Sequence, residues 1–208
     1  MTSPIEDPAC AIAHGGPAPA AMPAASAPSP DAIAHGTPPP QPGQDRVLVA
    51  VFASPVAQYL LRYAADAGYR PVLVEPDAGR REAASAGGTL PPGTTLAAGV
   101  KDAHAGDAGQ AGAQVDVVVT DHHRAELGVA LRDALAGDAR WIGIMGKAGH
   151  VGPHIAALAE LGVAPEEIDR VHRPIGMNIG SRTPAEIAIS TIAGLIADRN
   201  GRPGGFSF

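Results

Sequence analysis

The sequence predicts an α/β fold, in which a doubly wound, mostly parallel sheet of Rossmann type follows a disordered tail. Two observations lead to this prediction. Continuous apolar runs, such as VLVAVFA at residues 47–53, are typical of strands that are buried on both faces. Capped segments of helical periodicity separate these runs. Because parallel strands are joined by right-handed crossovers, the alternation favours one sheet with helices on both sides.

The predicted tail comprises residues 1–45. It holds 11 of the 21 prolines and neither lysine nor arginine, and alanine and glycine fill much of the rest. Such a segment buries too little apolar surface to offset the entropy lost on ordering, so we predict that it is disordered. The folded domain is expected at residues 46–201, with a short C-terminal tail at 202–208.

The first half of the domain begins with one clear β–α–β unit. After the strand at 47–53, Ser54 is a good N-cap and Pro55 a good first helical residue, and Gly68 ends the helix. A second strand is predicted at 71–75. Residues 78–114 carry weak signals, so we expect a short strand at 94–98 within a loop or a poor helix.

In the second half the alternation returns. The predicted elements are a strand at 115–120, a helix from 127 to Gly137, a strand at 141–145, a turn at 146–149, a helix carrying Val151, Ile155 and Leu158, and a short turn at 165–169.

The last helix has the most complete start signals. Thr183 is an N-cap, Pro184 suits the first position, and Glu186 stands where a capping box needs it. Asn200 is expected at its end. The predicted apolar face comprises Ile187, Ile189, Thr191, Ile192, Leu195 and Ile196.

Composition excludes several classes of protein. The formal charge of −6, without a basic cluster, argues against nucleic acid and anionic membrane as partners. The single cysteine, Cys10, excludes an internal disulfide and a cysteine-based zinc site. We find neither a membrane-spanning apolar stretch nor a signal peptide, and therefore expect a cytoplasmic protein.

In doubly wound sheets, ligands bind beyond the carboxyl ends of the strands. At the first such end a dinucleotide site needs GxGxxG, whereas this chain has Phe52 to Pro55. Pro55 removes an amide donor and Phe52 adds bulk where a phosphate would lie, so NAD is not expected. Glu75, at the end of the second strand, is either a ribose-binding acid or a solvated loop acid.

The strand at 115–120 ends at Thr120 and is followed by Asp121, His122 and His123. The sequence VDVVVTDHH resembles one motif of the DHH phosphoesterases, which use Mn-type ions. The aspartate motifs that this family also needs are missing upstream. The alternative is that Asp121 caps the following helix.

Two further loops are candidate sites. Lys147, between Gly146 and Gly149, either holds an anion at the start of a helix or is a surface lysine in a flexible turn. The loop from His172 to Glu186 either binds a ligand or serves the structure through tight turns and a capping box.

The C-terminal stretch resembles a known family. The segment HRPIGMNIGSRTPAEIAISTIAGLIA is similar to the signature HxPIGLDIGARTPEEIAVSIxAEI of the XdhC/CoxI family. Upstream, VAQYLLRYAADAGYRPVLVEPD resembles the family's first β–α unit, VVVTDHH its VVMTHDH strand end, and WIGIMGK its YVGLIGS turn. The resemblance covers about residues 46–200, which correspond to the family's Rossmann domain.

The resemblance implies a non-catalytic accessory protein that binds molybdenum cofactor and helps to deliver it to a xanthine dehydrogenase-type molybdenum hydroxylase. That hydroxylase is the implied partner, and a cysteine desulfurase and a second copy of the chain are further candidates. No metal ligand is implied in the chain itself. The residues expected to contact the cofactor are Ser54, Glu75, Thr120, Asp121, His122, Gly146, Lys147, His172, Pro174, Gly176, Gly180 and Thr183.

The sequence departs from the family pattern at three points. The GAGH turn is replaced by Phe52 to Pro55, THDH is permuted, and Lys147 replaces a serine. The tail stands where longer members have a separate N-terminal domain. Three alternative functions remain open at this point, which are an NAD(P)-dependent oxidoreductase, an Mn-dependent phosphoesterase, and a pure interaction module.

Overall fold

The computed structural model describes residues 46–105, 112–147 and 149–205. These residues belong to one compact unit, which spans Pro42–Phe208. The predicted N-terminal tail, residues 1–45, lies outside the described residues, as do residues 206–208 of the predicted C-terminal tail. In the part that is described, no helix is long and apolar enough to cross a membrane.

Strands and helices alternate along the described chain. The strands are β1 (Arg46–Val51), β2 (Arg70–Val74), β3 (Thr95–Ala97), β4 (Gln114–Val119), β5 (Trp141–Ile144) and β6 (Val171–His172). The helices are α1 (Pro55–Asp66), α2 (Ala78–Ala86), α3 (Val100–Ala105), α4 (Leu127–Leu135), α5 (Pro153–Glu160), α6 (Pro165–Ile168) and α7 (Pro184–Arg199).

The strands form one sheet in the order β3-β2-β1-β4-β5-β6. Every neighbouring pair in it is parallel. The central strand is β1, whose Val49 pairs with Val72 on one side and Val117 on the other. The predicted fold class is confirmed, and the strand order reverses direction between β1 and β4, where such sheets form their ligand crevice.

Two apolar layers cover the sheet. The alternate residues Val47, Val49 and Val51 of β1 pack with the layer of α3, α4, α5 and α6. Leu48 and Ala50 pack with α1 and α7. This burial on both faces explains why the strands are continuous apolar runs.

The weakly patterned segment after β2 is more regular than predicted. It contains the helix α2 (Ala78–Ala86), whose N-cap is Asp77. The Oδ1 atom of Asp77 accepts a hydrogen bond of 2.8 Å from the amide of Arg80. Because none of the residues of α2 is buried, the helix needs no apolar stripe, and its sequence has none. The N-cap Asp77 is therefore the only strong local signal that predicts this helix.

Two predictions on the chain between β5 and α7 were wrong. The helix α5 starts at Pro153, so Val151, which was predicted to lie in this helix, lies before it and is 86% exposed. A proline is well tolerated at the first position of a helix but not in its second turn, so Pro153 determines where α5 starts. The segment Val171–His172, predicted as a loop, is the edge strand β6.

The predicted start of α7 is confirmed. Thr183 Oγ1 accepts a hydrogen bond from the amide of Glu186, and Glu186 Oε2 accepts one from the amide of Thr183. The buried face of α7 differs from the prediction in one place, because Ile189 is 50% exposed. Ala188, Thr191, Ile192 and Leu195 are buried.

Candidate functional site

The carboxyl ends of the parallel strands lie at one edge of the sheet, which we call the carboxyl edge. We divide it into two halves. The first half consists of the residues that follow β1, β2 and β4, and the second half of those that follow β5 and β6. The predicted site residues from Ser54 to His122 lie in the first half, and Gly146 and Lys147 lie in the second.

The turn after β1 is built around Phe52. Its φ angle is 73°, a left-handed conformation that favours glycine. The Phe52 side chain is fully buried and belongs to the core. The prediction that its bulk lies where a phosphate would bind was therefore wrong, because the positive φ angle turns the ring inward, where it lies 4.7 Å from the Arg124 guanidinium.

Glu75 is the central acid of the first half. It is fully buried, so the interpretation as a solvated acid was wrong. Its Oε2 atom accepts hydrogen bonds from the Ala53 amide at 2.8 Å and from Arg124 Nη1 at 3.1 Å. Its Oε1 atom accepts from the Asp77 amide at 3.0 Å and from Arg124 Nη2 at 2.9 Å. Both carboxylate oxygens are thus engaged within the protein.

These hydrogen bonds control the charge of the pair. Burial alone would raise the pKa of Glu75, but the hydrogen bonds from Arg124 and from the Ala53 and Asp77 amides hold it below its usual value. Hydrogen bonding to Glu75 in turn raises the pKa of Arg124. Glu75 is therefore an ionised partner of Arg124 at neutral pH.

Sequence reasoning missed Arg124. It lies 49 residues from Glu75 in the chain, and no spacing rule links a cation after β4 to an acid after β2. A weak signal was available, because a sheet that places the ends of β2 and β4 at one edge calls for a cation near any acid buried there.

Ser54 and Thr120 form a second contact within the first half. The Ser54 hydroxyl donates to Thr120 Oγ1 at 2.9 Å and accepts from the amide of Ala57 at 3.0 Å. Thr120 Oγ1 lies 3.0 Å from the carbonyl oxygen of Val51, to which it donates. The structure brings these two predicted site residues together. The hydroxyl groups of both are hydrogen-bonded within the protein.

The loop after β4 holds the acid and the two histidines. Asp121 Oδ1 accepts from the amide of His123 at 2.9 Å and closes a local turn. The prediction that Asp121 caps α4 was wrong, because α4 starts at Leu127 and its N-cap is Glu126. The rings of His122 and His123 lie 4.1 Å apart. Across residues 46–105, 112–147 and 149–205, no group of three or more metal-ligating side chains is found.

In the second half, Arg173 takes the central position. A Cβ atom on Gly146 would lie 2.4 Å from Arg173 Nε, so only glycine leaves room for the guanidinium there. Arg173 Nη1 donates to the carbonyl oxygen of His150. Lys147, which follows Gly146 in the chain, is exposed. Burial, His123 and Arg173 lower the pKa of His122, in that order of size.

His172 is placed differently from its neighbour. It lies in β6, and its ring stacks on that of Trp141 at 5.0 Å with an angle of 5° between the planes. Gly143 makes room for this stack, since a Cβ atom there would lie 2.2 Å from the indole. The side chain that the structure places at Gly146 is therefore that of Arg173 and not that of His172.

The remaining predicted residues lie in the loop before α7. The Arg173-Pro174 peptide bond is cis. Gly176 has a φ angle of 84°, and a Cβ atom on it would lie 2.7 Å from Ser190 Oγ, so glycine allows the loop to pack on α7. Gly180 also has a positive φ angle, whereas its Cβ position is open. Thr183 is the N-cap described above.

Beside the first turn lies a cavity of about 420 Å³. It is lined by Ser54, Gln58, Arg80 and Thr89, together with small residues of α1 and α2. Its position corresponds to the crevice of doubly wound sheets, but the amide of Ala53, which would face a phosphate there, already binds Glu75.

The chain is similar to known proteins in sequence and in fold. Over 65 residues the chain is 45% identical to the uncharacterized protein YqeB of Escherichia coli K12, which corresponds to 31% of this chain and 12% of YqeB. A xanthine dehydrogenase from Bacillus halodurans shares the fold, with a TM-score of 0.56 and 22% identity over 79% of this chain and 45% of that one. The chain thus spans less than half of either protein.

A family model decides the relationship. The model of the XdhC Rossmann domain matches residues 48–195, which is most of the chain. The matched range begins in β1 and ends in α7, so it includes the sheet and both halves of the carboxyl edge. The chain therefore belongs to the XdhC family, through that family's Rossmann domain.

Proposed function

We propose that this chain is an accessory protein that binds molybdenum cofactor at the carboxyl edge and helps to deliver it to a molybdenum hydroxylase of the xanthine dehydrogenase type. The observation that carries the proposal is the match of residues 48–195 to the XdhC Rossmann domain. The chain's own residues would bind and hand over the cofactor, and its redox chemistry would take place in the hydroxylase.

The second half of the carboxyl edge fits an anionic pterin phosphate. Lys147 and Arg173 supply positive charge, and His122 adds a third nitrogen-bearing side chain from the loop after β4. Donors of this kind are the ones that proteins use for phosphate. These three residues would hold the phosphate end of the cofactor.

The first half supports the proposal over an oxidoreductase. A nicotinamide dinucleotide needs free backbone amides at the turn after β1. Here the Ala53 amide donates to Glu75, and Pro55 has no amide hydrogen. The standard pyrophosphate position therefore lacks two of its donors, which favours binding in the second half.

The test is to identify what the protein carries. The chain is purified from a host that makes molybdenum cofactor, denatured, and analysed for released pterin after oxidation to its fluorescent form. We expect pterin in amounts comparable to the protein, and Lys147→Met should carry less. Lys101→Met is the matched control, because Lys101 is the chain's other lysine and pairs with Asp133 on α4.

Delivery is tested separately. The loaded protein is mixed with a cofactor-free molybdenum hydroxylase, and the gain of hydroxylase activity is followed. Copurification of a hydroxylase subunit or a cysteine desulfurase would identify the partner. Absence of pterin from the wild-type protein, together with no gain of activity, would contradict the proposed function.

A further inference from the structure

Two buried nitrogen atoms near the start of α5 have no hydrogen-bond partner. They are Nδ1 of His154 and Nε of Arg173. His154 is only 5% exposed, and leaving such a group unpaired has a free-energy cost that natural proteins rarely accept without a reason. The pair therefore suggests a site whose ligand completes the hydrogen bonding.

Glycines shape the space around these nitrogens. A Cβ atom on Gly152 would lie 2.3 Å from His154 Nδ1 and 2.8 Å from Arg173 Cδ. A Cβ atom on Gly146 would lie 2.4 Å from Arg173 Nε. The imidazole and the arginine side chain thus pack directly on two glycines, an arrangement that we call the cradle and that leaves no room for a Cβ atom at either position.

The charges around the cradle are not balanced. Within the described part of the chain no carboxylate forms an ion pair with Arg173, whereas Arg124 pairs with Glu75 and Arg140 with Asp116. The N-cap of α5 is Gly152, which has no side chain to accept from the first turn. Pro153 has no amide hydrogen and the Ile155 amide donates to the carbonyl oxygen of Gly152, so the N-terminus of α5 contributes chiefly the partial positive charge of its dipole, which adds to that of Arg173.

We propose that Arg173, His154 and the N-terminus of α5 form a binding site for a tetrahedral oxyanion, a phosphate group. The anion accepts from the guanidinium of Arg173 and from Nδ1 of His154 in the tautomer that carries its hydrogen on that atom, and the exposed Lys147 follows Gly146 in the chain. This inference deepens the proposed function and rests on it for the natural ligand, the phosphate of the pterin. The site itself does not depend on that ligand.

The test uses inorganic phosphate as the probe and the full chain. Phosphate is titrated into wild type and Arg173→Met by calorimetry at low ionic strength. We expect binding to wild type and a loss of at least about tenfold in affinity in the variant, because a charge-assisted hydrogen bond is removed while the length of the side chain is kept. The matched control is Arg62→Met, an exposed arginine of α1 that should leave the affinity unchanged.

A second measurement needs no variant. In the wild-type protein, the Arg173 Nε–H and His154 ring signals are followed by NMR during the phosphate titration, and both should shift with the same affinity. The site is contradicted if neither signal moves, if wild type does not bind phosphate, or if Arg173→Met binds as well as wild type.

A third arm distinguishes the source of the phosphate and separates the two proposals. Tighter binding of the isolated pterin phosphate than of inorganic phosphate, with both weakened by Arg173→Met, would identify the pterin. Equal affinity for the two would identify free phosphate as the ligand of the same site. Pterin that binds wild type and Arg173→Met equally would overturn this site and leave the proposed function standing. Arg173-dependent phosphate binding by a protein that carries no pterin would do the opposite.

Discussion

The two halves of the carboxyl edge differ in how their polar groups are satisfied. In the first half Glu75, Arg124, Ser54 and Thr120 bind one another or the backbone. In the second half Arg173 and His154 keep buried nitrogens without partners. A polar group that is already hydrogen-bonded inside the protein has little capacity left to bind a ligand. An unpaired buried group is stabilised when a ligand forms the missing hydrogen bond.

Under the proposal above, this Rossmann sheet keeps its architecture while the phosphate of its ligand binds in the second half of the carboxyl edge. The usual phosphate turn after β1 has become part of the core, with Phe52 turned inward and the Ala53 amide bound to Glu75. The loops after β5 and β6 contain glycines and the cationic side chains Lys147 and Arg173. The following predictions test this contrast, from the largest expected effect to the smallest.

The strongest test of the first half is Glu75→Gln. The change leaves Arg124 buried without its main counterion, so we expect the free energy of unfolding to fall by about 3–5 kcal/mol. Urea denaturation measures it. The control is Glu126→Gln, which removes the more exposed partner of Arg124 and should cost about 1 kcal/mol or less. Similar losses for both variants would contradict the central role of Glu75.

A third region, at the amino ends of the strands, contains Asp116, and we expect it to make the stability of the protein depend on pH. Burial raises the pKa of Asp116 to about 6, although Arg140 lies beside it and opposes the shift. The folded state thus prefers the protonated acid, so this contribution to stability is full below the ordinary aspartate pKa and is lost as pH rises through 6.

The measurement compares wild type with Asp116→Asn by urea denaturation between pH 4 and 7. Because one pKa unit corresponds to about 1.4 kcal/mol, the shift amounts to about 3 kcal/mol at most. We expect the stability of wild type to fall by up to this amount relative to the variant as pH rises. Parallel curves for the two proteins would show that Asp116 does not titrate in this range.

The contact between Ser54 and Thr120 is tested by Thr120→Val. The variant keeps the shape of the side chain and removes a buried hydroxyl that contacts Ser54 and Val51, which should cost about 1–2 kcal/mol. Ser54→Ala and the double variant complete a cycle of denaturation measurements. If the two single effects simply add, the hydroxyls are not coupled, and the first half is held together by Glu75 alone.

The smallest change in stability is expected in the second half. Gly146→Ala forces the end of the Arg173 side chain to move, which a flexible side chain does at a cost of less than about 1 kcal/mol. Phosphate affinity, measured by calorimetry, should nevertheless fall. The control Gly79→Ala, within α2, should leave phosphate affinity as it is. Unchanged affinity in Gly146→Ala would mean that the position of Arg173 does not matter for binding.

Much of the fold could be predicted from local sequence. The apolar runs of β1 and β4, the Ser54 cap of α1 and the capping box at Thr183 all depend on residues close together in the chain. The errors arose where local signals were weak or misleading. Asp77 capped a helix that has no apolar stripe, and Pro153 shifted the start of α5 past Val151.

The candidate site was predicted less completely. The sequence analysis named Gly146, Lys147 and His172 as candidate contacts and did not name Arg173, because the loop's motif emphasises the histidine. Which of two adjacent side chains faces the site depends on the strand to which they belong. His172 lies in β6 and stacks on Trp141, and Arg173 follows the end of that strand.

The sequence by itself determined the fold class, because burial on both faces and helix capping are written in runs of neighbouring residues. Only the tertiary structure decided which polar groups are paired and which are left open. Glu75 meets Arg124, and Arg173 meets His154, because the order of strands in the sheet brings distant loops to one edge. Which polar side chains pair across such distances is decided by tertiary packing, and no local sequence pattern predicts it.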